Sequence, residues 1–253
     1  MSDLSSRSTK IPASLEELRA LVARPASAAR IGGEPSGDPR ASCLGLVRVA
    51  RPDEVWPTFE GQPMLGVAQL NLREVPFVPP DLSDVALLTF FLAAQKGEDG
   101  LEYFFPEGKR NGEGWLLRAY DSLEGLAAIP APYDPGWLAP RGITWERIED
   151  LPDEWGEGGA HDLIDFAAIE ELLGEDDWND AVGRPADATK LGGWPSVIGD
   201  DYDEESPTRK ATFCLQIDSD LEVGLDLWDG GVIHIGSIVR AGRKTWVIES
   251  QRE

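Results

Sequence analysis

Three short blocks of this chain occur twice, in the same order, and this recurrence limits the fold more than any other feature. "RIGGEP" (30–35) answers "KLGGWP" (190–195), "GVAQLNL" (66–72) answers "FCLQIDS" (213–219), and "DLSDVALLTFFL" (81–92) answers "DLWDGGVIHIGS" (226–237). The offsets are 160, 147 and 145 residues, and they align Gln69 with Gln216, Asn71 with Asp218, Asp81 with Asp226 and Asp84 with Asp229. Self-similarity at a near-constant offset predicts two copies of one supersecondary unit. Each copy would hold a glycine-pair corner (Gly32 and Gly33, then Gly192 and Gly193), a strand with a central glutamine, a D-L-x-D turn and an apolar strand. Two such sheets packed together would share a pseudo-twofold core.

Local signals name the elements. Ser14 with Glu17 three residues on is a capping box, and Leu15, Leu18, Leu21 and Val22 form the apolar face of a helix ended by Pro25. "DLIDFAAIEELLGED" predicts a second helix near 163–173, stopped by Gly174. Strands are expected at "CLGLVRVA", "PMLGVAQLNLREVP", "VALLTFFLAA" (buried on both faces), "GWLLRAYD", "ATFCLQIDSD", "GGVIHIGSIV" and "KTWVIES". Residues 125–160 read as irregular, with a strand around "GITWERI". The expected class is α+β, mainly antiparallel β-sheets from two pseudo-twofold related repeats, with an N-terminal helix and an inserted helix near 163–173. The expected domains are an N-terminal helix and arm over 1–27 and one domain over 28–253. Within it, copy one spans about 28–125, an irregular connection about 126–160, and copy two about 161–253.

The formal net charge is −23, and residues 146–205 carry 20 acidic and 3 basic side chains, whereas the first 50 residues carry 5 and 7. Phosphate backbones would be repelled by this segment, so nucleic acid is excluded as a partner and a basic protein is favoured. Trp155, Trp178, Trp194 and Tyr202 lie in or beside the acidic runs and are candidate anchors. With them, Asp176, Asp177, Asp180, Asp200, Asp201, Asp203 and Glu204 make up the expected partner-binding set. No apolar run of about 18 residues occurs, and the N-terminus lacks a signal-peptide core, so a cytoplasmic location is expected.

Catalytic signatures are sparse. The histidines are His161, near a helix start, and His234, read as an outward-facing strand position, and neither GxSxG nor HExxH occurs. The glycine pairs lack the spacing of a phosphate-binding loop and read as corners. Cys43 and Cys214 are not in a CxxC arrangement and are expected as reduced, buried thiols. No cofactor or metal is expected, with Asp218, Asp220 and Asp229 kept as a candidate cation site. Gln69 and Gln216 must satisfy their amides inside apolar strands, so each is expected to tie down a backbone loop. The alternative to a binding protein is an enzyme or small-ligand protein using a cleft between the repeats, with Arg30, Lys190, Asp218 and Asp229 as its polar groups.

"RIGGEP", "GVAQLNLREVP", "LLTFFL", "KLGGWP", "CLQIDSD" and "LDLWDGGVIHI", taken in order over about 28–240, resemble the bacterial YwqG-like proteins, a family of unknown function. The resemblance implies an α+β domain of mainly antiparallel sheet. Genes of that family sometimes lie beside toxin genes, which implies an immunity (antitoxin) role for some members. Joined to the charge, it gives the expected function: a cytoplasmic immunity protein neutralising a cognate, basic toxin through an acidic surface.

Overall fold

The computed structural model describes residues 11–96, 101–104, 106, 108–132, 136–153, 166–174, 177–196, 198 and 211–252. Ten strands form its main sheet: β1 Arg24–Ile31, β2 Cys43–Leu44, β3 Leu65–Asn71, β4 Leu87–Leu92, β5 Trp115–Tyr120, β6 Arg141–Asp150, β7 Lys190–Gly192, β8 Thr212–Asp218, β9 Val232–Arg240 and β10 Arg243–Gln251. They lie in the order β5-β4-β3-β2-β6-β1-β7-β8-β9-β10, and every pairing is antiparallel. The architecture is mostly antiparallel sheet. Its described helices are α1 Leu15–Val22, α2 Phe166–Leu173 and α3 Trp178–Ala181.

The halves of this sheet match in register. In the first half Cys43 stands opposite Gln69 and Gln69 opposite Thr89, and in the second Lys190 stands opposite Gln216 and Gln216 opposite His234. A β-bulge falls between Gly66 and Ala68 in β3 and between Phe213 and Leu215 in β8, at equivalent places. Even the end bonds correspond. The Asn71 amide donates to Ser42 Oγ at 2.9 Å, and the Asp218 amide to Thr189 Oγ1 at 3.0 Å. The strands at the centre cross over, because β1 pairs with β7 of the second half while β6 pairs with β2 of the first.

This register corrects the glycine alignment. Residues 190–193, "KLGG", stand where 43–46, "CLGL", stand in the other half, so Gly192 (φ +75°) answers Gly45 (φ +79°). Gly32 and Gly33 instead follow β1. The doublet misleads because its letters match, and Gly33 (φ +65°) even shares a left-handed backbone with Gly193 (φ +74°), while the strand register and the surroundings differ. A Cβ at Gly32 or Gly33 would meet nothing within 4 Å, whereas one at Gly193 would run into the Asp150 carboxylate and one at Gly45 would sit 2.7 Å from Val223 Cγ1. β1 is the other departure. It crosses the 27/28 boundary and occupies the middle of the sheet, where "RPASAARI" gives little apolar signal because Ala26 and Ser27 are buried as small residues between two neighbours. "GITWERI" is part of the ten-residue β6, inside a stretch read as irregular. "CLGLVRVA" is broken after Leu44 by Gly45, leaving a short second strand at Val49–Ala50.

In place of two separate packed sheets there is one continuous sheet, curled so that a single face lines the core. Leu44, Leu70, Leu88, Phe90, Trp115 and Leu117 of one half share that core with Leu191, Leu215, Ile217, Ile233, Ile235 and Ile248 of the other. Contacts across the curl include Ser237 Oγ to Asp81 Oδ1 at 3.0 Å and Lys244 Nζ to Asp84 Oδ1 at 2.7 Å. On the outer face, α1, α2 and α3 form their own apolar layer from Leu18, Val22, Ile169, Trp178 and Val182. Ser14 caps α1, accepting from the Glu17 amide at 3.2 Å, while the Glu17 carboxylate returns to the Ala13 amide at 3.1 Å. Gly174 (φ +63°) follows α2, as the sequence predicts. Among the described residues no helix is long and apolar enough to cross a membrane.

Candidate functional site

The outer face of the second half carries a row of polar side chains. Register places Lys190, Gln216, His234 and Glu249 side by side on β7, β8, β9 and β10. Lys190, Gln216 and His234 are all buried, and each is buried for a different reason.

Lys190 Nζ lies 2.9 Å from Asp150 Oδ2, with both side chains almost inaccessible, and donates also to the Ala186 carbonyl at 2.9 Å. Asp150, at the end of β6, accepts further bonds from the Ala186 amide at 2.8 Å and the Trp194 amide at 2.8 Å. Burial pulls the Lys190 ammonium below its ordinary value, and the Asp150 charge opposes that shift. A buried pair with its remaining lone pairs and protons bonded is a structural latch, fastening the 186–194 turn to β6. Gly193 (φ +74°) is required here because any Cβ would collide with that carboxylate.

Gln216 Oε1 accepts from the Ser196 amide at 2.9 Å, and its Nε2 donates to the Ala188 carbonyl at 3.1 Å. Gln69 does the same work more fully, accepting from the Arg48 and Val49 amides and donating to the Pro39 and Ala41 carbonyls. Each amide therefore clamps the chain on both sides of the short strand beside it. For Gln216 that chain includes the Gly192–Gly193 corner. For Gln69 it flanks β2 and Gly45.

His234 corrects an expectation. It faces a buried layer, 1% exposed, beside Phe213 at 5.9 Å between ring centroids, and neither ring nitrogen has a hydrogen-bond partner among the described residues. Burial, then the nearby Lys190 charge, pushes its imidazolium down to about 3. A neutral, enclosed imidazole is poorly placed to exchange protons with a substrate. Asp218 ends β8 and is pushed up to about 6, chiefly by burial. Its Oδ1 accepts from the Ser219 amide, Asp220 Oδ1 from the Val223 amide, and Asp229 occupies an exposed turn with φ +68°. Among the described residues no three His, Cys, Asp or Glu side chains gather to hold an ion. Arg30 lies on the surface, bonded to Glu146 at 2.6 Å. Of the four polar groups expected in a cleft, Lys190 and Asp218 lie on paired strands, close enough for each charge to act on the other, whereas Arg30 lies near the end of β1 against Glu146 and Asp229 sits in its exposed turn. Cys43 and Cys214 are free and buried, with burial pushing both thiols up to about 11.

The aromatic anchors are corrected too. Trp178 and Trp194 are 2% and 1% exposed, and their indole N–H groups donate to the Pro152 and Val22 carbonyls, each at 2.9 Å. Trp178 sits in the helical layer, and Trp194 is stacked under the Arg24 guanidinium at 3.2 Å from its centroid. Neither offers surface to a partner. Asp177 and Asp180 are exposed, Asp177 capping α3 by accepting from the Asn179 amide at 2.8 Å. His161, Trp155, Asp176, Asp200, Asp201, Tyr202, Asp203 and Glu204 lie outside the described residues.

Sequence reasoning missed Asp150, the partner that explains Lys190. Its only signal is a carboxylate closing the mixed polar strand "RGITWERIED", which an acidic neighbourhood hides. No curated protein matches the chain. A family model described as a domain of unknown function, DUF1963, matches residues 45–236, a span that holds the bulged strands β3 and β8, both glutamine clamps and the latch turn. Since that match takes in about three quarters of the sequence, the chain belongs to the DUF1963 family.

Proposed function

We propose that the protein is an immunity (antitoxin) protein that acts in the cytoplasm by binding a basic bacterial toxin or effector domain through the acidic face of its helical layer. The observation that carries this reading is the charge on that layer. Glu16, Glu170, Glu171, Asp177 and Asp180 are exposed there. Of the neighbouring cations, Arg19 directs Nη2 to the Ala181 carbonyl and Arg184 pairs with Asp187 at 3.1 Å. Carboxylates fixed on a packed apolar layer create a one-signed field that raises the encounter rate with a cationic surface by about 10- to 1,000-fold. With Trp178 and Trp194 in the core, recognition rests on charge and shape in place of those two anchors. The block order resembling YwqG-like proteins supports the same reading.

We also infer that the matched halves are two copies of an α+β unit whose first strands, β1 and β6, have exchanged places. The shared bulge, the shared glutamine clamp and the Ser42/Thr189 bond support it. Where the copies differ, Lys190 replaces Cys43 and the neutral His234 replaces Thr89, so the second copy alone carries a buried cation in this row.

The test is co-expression with the products of neighbouring genes. A 1:1 complex with a basic protein whose growth arrest is relieved supports the reading, and weaker protection by Glu170→Gln/Glu171→Gln/Asp177→Asn/Asp180→Asn places the contact. Full protection by that variant would contradict the proposed face.

A further inference from the structure

Against the acidic balance of the chain, one cleft is basic. The loop before β5 (108–111) and the first six residues of β10 (243–248) wall a cavity of about 590 Å³. Among the described residues its lining includes Lys109, Arg110, Arg243 and Lys244 and no Asp or Glu, in a chain with twice as many acidic as basic side chains. Lys244 is already engaged by the Asp81 carbonyl at 2.6 Å and Asp84 at 2.7 Å. Lys109, Arg110 and Arg243 are exposed, and among the described residues none has an ion-pair partner.

The cleft also contains a sheet edge. β5 and β10 are the two ends of the ten-strand order, and β10 pairs only with β9. Among the described residues, the backbone of 243–248 makes no hydrogen bond to any other element. On an antiparallel edge strand, alternate residues turn their N–H and C=O groups away from the neighbour, and here that side opens onto the cleft. Cations on an edge strand also guard against pairing between copies. That role accounts for Arg243 and Lys244, but not for Lys109 and Arg110 on the opposite wall.

We propose that this cleft binds an acidic peptide segment in extended form, added as a strand along β10, with its carboxylates held by Lys109, Arg110 and Arg243. Backbone pairing supplies the register, and the side-chain cations supply the selection for acid. Six residues of edge, at about 3.3 Å each, accommodate about six residues of ligand. The site is separate from the acidic helical face, so each reading can fail alone.

The experiment measures fluorescence anisotropy of a labelled, end-blocked (Glu-Val)₃ peptide at low ionic strength. Saturable binding is expected, at least tenfold weaker with Lys109→Gln/Arg110→Gln/Arg243→Gln and lost when alternate peptide nitrogens are methylated. The Glu170→Gln/Glu171→Gln/Asp177→Asn/Asp180→Asn protein should bind the peptide no less tightly than the parent. Because the three cations are exposed, an unchanged thermal melt separates lost binding from lost folding. No saturable binding, equal binding by the triple variant, or binding indifferent to methylation and displaced by inorganic triphosphate would each overturn the proposal, the last by making the cleft a simple anion site.

Discussion

Asp150 and Lys190 show how a single contact organises a corner of this protein. Removing the ammonium alone leaves a buried carboxylate with only backbone amides, and such losses typically cost about 3–5 kcal/mol. Lys190→Met should therefore destabilise by about that amount, whereas Asp150→Asn with Lys190→Met should cost less than the sum of the single changes. Urea unfolding of the four proteins checks this, and additive costs would show that the pair is not coupled. Asp218 makes a pH prediction. Its folded value of about 6 lies above the ordinary carboxylate value of about 3.9. Folding thus takes up a proton in that window, and the contribution present at low pH is lost as pH rises through about 6. Asp218→Asn keeps an acceptor for the Ser219 amide and removes the buried charge. It should stabilise the protein at pH 7.5 and do progressively less toward pH 4.5, and equal stability at pH 7.5 would refute that burial is the cause. His234 works in the opposite direction, losing stability as acid protonates the unfolded chain first. Sequence showed the two glutamines because an amide in an apolar strand is anomalous in itself. It hid the burial of His234, Trp178 and Trp194, since exposure depends on what lies across from a residue.

Among the elements, the strands with dense apolar or alternating patterns were legible: β3, β4, β5 and β8 fall within segments that the pattern names, and β9 and β10 overrun theirs by one residue, β9 at its end and β10 at both ends. α1 was legible through its cap, and α2 through its apolar spacing and Gly174. β1 was not, because a strand flanked closely on both sides buries alanine and serine, which carry little pattern. The glycine doublets misled for a related reason: letters were compared where strand register decides, and register sets Gly45 against Gly192. The clamps that hold β2 and β7 give an element-level prediction. Gln69 makes four hydrogen bonds of 2.9–3.2 Å and Gln216 two, so Gln69→Leu should destabilise more than Gln216→Leu, within about 1–3 kcal/mol for each unpaired buried group. Chemical denaturation of both variants checks the order, and equal costs would mean that the extra bonds of Gln69 contribute nothing.

At the scale of the whole molecule, a curled sheet with crossed central strands holds two differently charged surfaces. The helical layer presents carboxylates, and the seam between the sheet ends presents cations. The mainly antiparallel sheet could be read from the chain, and the crossing of β1 and β6 could not, because register between distant strands is set by packing of both halves at once. The central claim, recognition of a basic protein by the acidic face, is tested most directly by the association rate with the co-expressed partner as a function of salt. For the parent protein the rate should fall steeply as ionic strength rises. Glu170→Gln/Glu171→Gln/Asp177→Asn/Asp180→Asn should associate about tenfold more slowly at low salt and with a flatter dependence, since Asn at 177 still caps α3. Identical rates and slopes for the two proteins would contradict the claim.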